Sequence, residues 1–208
     1  MVEAGVTPEE NMSRLPFTPS DEQTMWRVQQ HGDAAAFGEL VHRWQEPIQR
    51  LCTRMTGDLH RGEDLAQEAF LRVFTRRQDY RPQGKFSTWL WQIALNLCRD
   101  DARYQRRHPV TSLETAGSET EEAFAPEAEV NPVSPATDVA RLEQAEIIRK
   151  ALRQLDEPHR MVVILRHYEG LKFAEIAEIL GIPEGTVKSR LAEALNRLAP
   201  HLHILRNV

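Results

Sequence analysis

The stretch LKFAEIAEILGIPEGTVKSRLAEALNRL, residues 171–198, decides how the chain is read. It divides into two short helical patterns around Gly181-Ile182-Pro183. Phe173, Ile176, Ala177 and Leu180 fall at i, i+3, i+4 and i+7, the spacing of one buried helix face, and Val187, Leu191, Ala194 and Leu198 repeat that stripe. Gly181 can take the left-handed conformation that closes the first helix. Pro183 suits the entry to the second, because its φ is already set and it needs no amide donor. Two amphipathic helices joined by about four residues that include a glycine form the helix-turn-helix pattern.

The solvent face of the second helix points to a use. At about 100° per residue, Gly185, Ser189, Ala192 and Asn196 lie opposite the apolar stripe, with Lys188 and Arg190 on either flank. Small residues between two cations suit a helix that enters a major groove while its edges meet phosphates. The helix start at Glu184, Gly185 and Thr186 is expected to offer backbone amides to a phosphate. A helical hairpin with a solvated charged face has the same pattern, so the remainder of the chain has to decide between the two.

Upstream of this hairpin the chain is helical in pattern throughout. Residues 1–19 hold three prolines and no period, the composition of a disordered tail. Ser20-Asp21-Glu22-Gln23 gives a capping box, and Asp33 can cap a second helix carrying Phe37, Leu40, Val41, Trp44, Ile48, Leu51 and Met55. Pro47 lies inside that pattern and predicts a kink or break near residues 44–46. Asp58 opens a third helix with Leu65, Ala66, Ala69, Phe70, Val73 and Phe74 on its buried side and Asp64, Glu68 and Arg72 on the other. After the loop DYRPQGK, residues 79–85, comes FSTWLWQIALNLCRDDARYQRR, residues 86–107. There Ile93, Ala94 and Leu97 lie with Leu90, while Gln92, Asn96, Arg99, Arg103 and Arg106 all fall roughly 160–240° away. Arginines fit phosphates, and aromatic rings such as Phe86, Trp89 and Trp91 accept unstacked bases.

The net charge of −5 is unevenly placed. Residues 1–110 carry 15 basic and 15 acidic side chains, 111–146 carry 1 and 9, and 147–208 carry 10 and 7, so the middle segment holds the whole negative excess. With its prolines and with Glu114, Glu119, Glu121, Glu122, Glu127 and Glu129, that segment is a linker without a core of its own. The expectation is an all-α protein of two small helical domains, 20–107 and 138–199, joined by a flexible acidic linker, 108–137, with a C-terminal tail, 200–208. The second domain begins with Leu142, Ala145, Ile148, Leu152 and Leu155 in register. A further helix, residues 158–168, is ended by Gly170. The N-terminus shows no export signal and no run approaches membrane-span length, so a cytoplasmic protein without membrane insertion is expected. Cys52 and Cys98 have no ligand spacing and are expected to be buried thiols. HExxH, GxxxxGK and GxSxG are absent, and His201-Leu202-His203 is a poor ligand pair, so neither enzymatic activity, metal nor cofactor is expected.

Two ordered motifs then coincide. DLAQEAFLRVF (residues 64–74) followed by FSTWLWQIALNLCRDDARYQRR resembles region 2 of bacterial RNA polymerase sigma factors of the sigma-70 family. ALRQLDEPHRMVVILRHYEGLKFAEIAEILGIPEGTVKSRL (residues 151–191) resembles their region 4. With no region 3 domain between them, the chain is similar to the extracytoplasmic-function (ECF) subfamily. The resemblance implies a transcription initiation factor in stress response that binds core RNA polymerase, promoter DNA and an anti-sigma factor. It implies that Asp64, Gln67, Glu68 and Arg72 dock on the β′ clamp helices and that the C-terminal domain meets the β flap. It implies that Tyr80, Lys85, Phe86, Trp89, Gln92, Asn96, Arg99, Arg103 and Arg106 serve −10 recognition and melting. Glu184, Gly185, Thr186, Lys188, Ser189 and Arg190 would read the −35 element. Where relatives carry further basic residues after the Ser-Arg, this chain has Ala192, Glu193 and Ala194, and a carboxylate there repels phosphate unless it accepts from a cytosine amino group. The acidic linker reads as a tether and, within the family, as an imitator of RNA. A free-standing helix-turn-helix regulator acting without polymerase is the alternative, and it leaves the Asp64 face and the Trp-Arg helix without work.

Overall fold

Short polar residues start the N-terminal helices as the sequence predicts. Ser20 accepts from the Gln23 amide while Gln23 returns the bond, Asp33 accepts from the Ala36 amide and Asp58 from that of Arg61. The structure, a computed structural model, describes residues 19–108 and 135–202. The N-terminal tail and the acidic glutamates from Glu114 to Glu129 therefore lie outside the described residues.

Among the described residues the first group of helices is α1 (Asp21–His31), α2 (Ala34–Thr56), α3 (Leu59–Thr75) and α4 (Phe86–Arg107). Their shared core is built from Met25, Leu40, Ile48, Leu51, Val73, Phe86, Leu90 and Leu95, all essentially without exposure. The second group is α5 (Pro135–Gln154), α6 (Glu157–Val163) with a π-helical continuation (Ile164–Tyr168), α7 (Phe173–Leu180) and α8 (Glu184–Leu202). Here Leu152, Leu155, Met161, Ile164, Leu165, Ile176, Val187, Leu191 and Leu198 are buried.

Of the kink or break predicted at Pro47, the break is not found. α2 runs through it, because Leu40 before the proline and Ile48 and Leu51 after it are buried in one core, so packing on both sides outweighs the lost backbone bond. The last helix of the expected 158–168 span is likewise not uniform: it turns to π geometry at Ile164. The hairpin turn follows the prediction, with Gly181 at φ 64°. The Gly181 amide donates to the Glu178 carbonyl (3.4 Å) and that of Ile182 to the Ala177 carbonyl (3.1 Å), the paired bonds of a Schellman end.

Two features fix region-scale geometry. α4 has no side-chain cap of its own from Lys85; instead the carboxylate of Glu22, on α1, accepts from the Phe86 amide at 3.2 Å. Burial pushes the Glu22 carboxyl up, but the amides of Glu22 and Phe86 outweigh it and its pKa is lowered. α2 and α3 approach so closely that a Cβ on Gly62 would stand 2.2 Å from Thr53 Oγ1 and 2.7 Å from the Thr53 backbone. Gly62→Ala is therefore expected to cost about 1–3 kcal/mol, read as a lowered midpoint in thermal unfolding; an unchanged midpoint contradicts the close approach.

Candidate polymerase and promoter surfaces

The outer stripe of α3 presents Asp64 and Gln67 to solvent, with Glu68 half-exposed and paired to Arg72 through Arg72 Nε and Glu68 Oε1 at 2.8 Å. Leu71 lies on the same stripe, one heptad after Asp64, and is 56% exposed. The sequence reading passed it over; an apolar side chain on an otherwise polar stripe was the available signal. Exposed leucine amid charge suits a protein-docking face with an apolar centre.

The loop before α4 and the start of that helix form an aromatic cluster. Tyr80 and Phe86 are buried, with ring centroids 6.2 Å apart, and Trp89 sits 5.3 Å from Tyr80. Tyr80 Oη donates to the Gly84 carbonyl at 2.9 Å, tying the loop back on itself. Burial, helped by Glu22 and Asp21, pushes the Tyr80 hydroxyl up to about 12. Phe86 packs edge-on to Trp44, which in turn meets Trp91 at 6.0 Å and donates from its indole nitrogen to Asp21 at 3.0 Å. In this arrangement Phe86 and Tyr80 support the loop from inside, and Trp89, half-buried, stands at its edge.

The polar face of α4 meets the second group of helices. Lys85 Nζ is 2.9 Å from Glu175 Oε1 on α7, and Gln92 Nε2 donates to the Glu178 carbonyl at 3.2 Å. Glu157, the first residue of α6, faces both Arg99 Nε (3.3 Å) and Arg106 Nη2 (3.6 Å). The Lys85 ammonium pKa is raised by the Glu175 hydrogen bond first. That of the Glu175 carboxyl is lowered by the Lys172 amide first and then by Lys85. Asn96 and Arg103 remain exposed, Asn96 Oδ1 accepting from Arg99 at 3.2 Å and Arg103 lying 3.6 Å from Asp100. Of the nine side chains expected at the −10 element, two are thus in the core and four are engaged across the domains.

Beside this seam, the C-terminus of α2 is held by cations. Arg153 donates to the Gly57 carbonyl (2.6 Å) and Arg160 to that of Met55 (2.8 Å), where the helix end attracts positive charge. Arg54 lies 3.2 Å from the Glu169 carboxylate and 4.3 Å from the centre of the Tyr168 ring. Burial raises the Glu169 carboxyl and Arg54 opposes that rise.

On α8, Lys188 pairs with Glu184 at 2.6 Å and lies 5.5 Å from the centre of the Phe173 ring, while Ser189 Oγ donates to the Thr186 carbonyl at 3.1 Å. Glu184, Gly185, Lys188 and Ser189 are exposed and Arg190 half-exposed. The Thr186 amide already donates to the Pro183 carbonyl at 2.9 Å, which removes it from the free donors expected at this helix start. Glu193 does not stand free: Arg197 donates to it and His159 Nε2 lies 3.2 Å away.

The family models for Sigma-70 region 2 and Sigma-70 region 4 match residues 40–108 and 145–198. The chain is 36% identical over 174 residues to the ECF RNA polymerase sigma factor SigW of Bacillus subtilis, covering 84% of this chain and 92% of that protein. The chain belongs to the ECF sigma factors. The Pseudomonas aeruginosa RNA polymerase sigma-H factor is 34% identical over 84% of this chain and 89% of its own. The fold is shared with the solved structure of CnrH in complex with the cytosolic domain of CnrY (TM-score 0.66, 24% identity, 89% of this chain and 99% of that one). It is also shared with RpoE of Bartonella quintana in complex with the anti-sigma factor NepR (TM-score 0.61, 21% identity, 81% and 97%). This sigma factor is therefore a non-enzymatic subunit that directs RNA polymerase to promoters; the region 2 match spans most of α2 with α3 and α4, and the region 4 match spans the later part of α5 with α6, α7 and most of α8. No helix among the described residues is long and apolar enough to cross a membrane.

Glu157 and Glu175 are the acids of the seam, so their reversal sets cations against cations. The double variant Glu157→Lys/Glu175→Lys is expected to enlarge the radius of gyration in small-angle scattering at unchanged helical content; an unchanged radius contradicts the role given to these pairs.

Proposed function

We propose that this sigma factor holds core polymerase through the α3 stripe and opens the −10 element with the exposed part of α4, while α8 anchors at −35. The α3 stripe, Asp64, Gln67, Glu68 and Arg72 around Leu71, meets the β′ clamp helices, and region 4 meets the β flap. Asn96 and Arg103, exposed further along α4 than the Tyr80–Phe86–Trp89 cluster, contact the non-template strand as it unstacks, a process that costs a few kcal/mol and needs a receiving surface. Thr186, Lys188, Ser189 and Arg190 enter the major groove, with Glu184 and Gly185 at the helix start beside the phosphates.

The observation that carries the reading is the engagement of Lys85, Gln92, Arg99 and Arg106 by region 4. In the free chain, carboxylates of Glu157 and Glu175 occupy cations that −10 DNA would need, so promoter binding requires the two regions to part. Core polymerase, by gripping both regions at separate places, supplies that separation. Of the solved structures named above, RpoE of Bartonella quintana was captured with the anti-sigma factor NepR, and CnrH with the cytosolic domain of CnrY. An anti-sigma factor in the cytoplasm that keeps the regions together is the corresponding regulator here.

Transcription with core polymerase on fragmented genomic DNA tests the function and yields the promoter. On that promoter, Arg103→Ala is expected to impair strand opening more than duplex capture, and Lys188→Ala the reverse, each by roughly tenfold, the factor for ~1.4 kcal/mol of lost phosphate or base contact. Permanganate reactivity and filter binding separate the two steps; equal effects of both substitutions on both steps contradict the division of labour.

A further inference from the structure

Region 4 carries a closed ring of four ionisable side chains that ties α8 to α6. His159 is buried, only 9% exposed. Its Nδ1 lies 2.5 Å from Asp156 Oδ1, and its Nε2 lies 3.2 Å from Glu193 Oε2. Arg197 completes the ring: Nη1 stands 3.2 Å from the same Asp156 oxygen, and Nη2 donates to Glu193 Oε1. Each carboxylate therefore meets both His159 and Arg197. The Nε2–Glu193 approach is a close polar contact without hydrogen-bond alignment.

Placement on the helix gives the ring its meaning. Glu193 lies roughly 60° around α8 from the line through Ser189 and Asn196, at the edge of the face assigned to DNA. Arg197, one turn along the same helix, joins Glu193 to Asp156 at the start of α6, and His159 is the α6 side chain that meets the Glu193 carboxylate itself. His159 comes from α6, and α6 lies on the side of α8 away from that face, where Val187, Leu191 and Ala194 are buried. We infer that His159 is a positioning residue for promoter reading: with Arg197 it holds the Glu193 carboxylate against α6, out of reach of the phosphates and base edges that α8 approaches. A carboxylate left loose at that edge would repel the backbone or take a hydrogen bond from a cytosine amino group, and the clamped one does neither. The inference rests on the −35 role proposed for α8.

Two measurements on the full chain test it. In holoenzyme on the promoter selected by the wild-type protein, His159→Phe keeps ring bulk and removes both ring nitrogens. It is expected to weaken binding about fivefold, the scale of one unit charge brought near another in water, while Glu193→Gln binds at least as well as wild type. Combining the two changes should restore the affinity of Glu193→Gln alone. If the double variant stays as weak as His159→Phe, the histidine serves packing only and the inference is overturned. Without DNA, the carboxyl carbon resonance of Glu193 reports the clamp. It titrates below the ordinary glutamate range, held there by Arg197 first and His159 next, and His159→Phe should raise its midpoint. An unmoved midpoint overturns the inference through the clamp. A midpoint that moves while −35 affinity does not overturns it through the DNA role of α8.

Discussion

Arg99 and Arg106 project from one face of α4, with Lys85 at its start. Glu157 answers the two arginines and Glu175 answers the lysine, both from region 4. The cations proposed to meet nucleic acid therefore also make this helix adhesive to the rest of the chain. Half-exposed ion pairs of this kind are each worth about 0–1 kcal/mol, so the seam holds only because several act together. Its weakness is what allows a large partner to exchange them for phosphates.

Deeper contacts set the hinge of this arrangement. Arg54 between Glu169 and Tyr168, and Arg153 and Arg160 on the carbonyl end of α2, join the end of one region 2 helix to region 4. Burial disfavours both the Arg160 guanidinium and the Glu169 carboxylate in their charged forms. Charges held there gain hydration when the regions part, which offsets some of the attraction lost. Closure and opening thus differ by small balances between desolvation and pairing, and binding at a distant stripe such as that of α3 can tip them.

The α-helical class, the capped starts at Ser20, Asp33 and Asp58 and the turn at Gly181 were legible in the sequence because they depend on neighbours within a few residues. The helix does not break at Pro47, and the strength of packing on either side of it that carries it through is a tertiary quantity. Phe86 and Tyr80, expected to serve the −10 element, are core residues; helical periodicity locates a face but not the loop that covers it. Leu71 was visible in principle as an apolar residue on a polar stripe. Glu157 was not, because nothing local pairs the first residue of α6 with arginines some fifty residues upstream. Glu193 read as an obstacle to phosphate, and only its contact with His159 across α6 shows where the carboxylate goes.

The central claim is that the promoter-facing side of α4 is held by region 4 in the free chain and released on core polymerase. Lys85 and Glu175, an amine and a carboxylate 2.9 Å apart, allow a direct reading by zero-length carbodiimide coupling and peptide mass spectrometry. The Lys85–Glu175 cross-link is expected in the free sigma factor and should be lost in reconstituted holoenzyme. A cross-link of equal yield in both, or one absent from the free chain, would contradict the account.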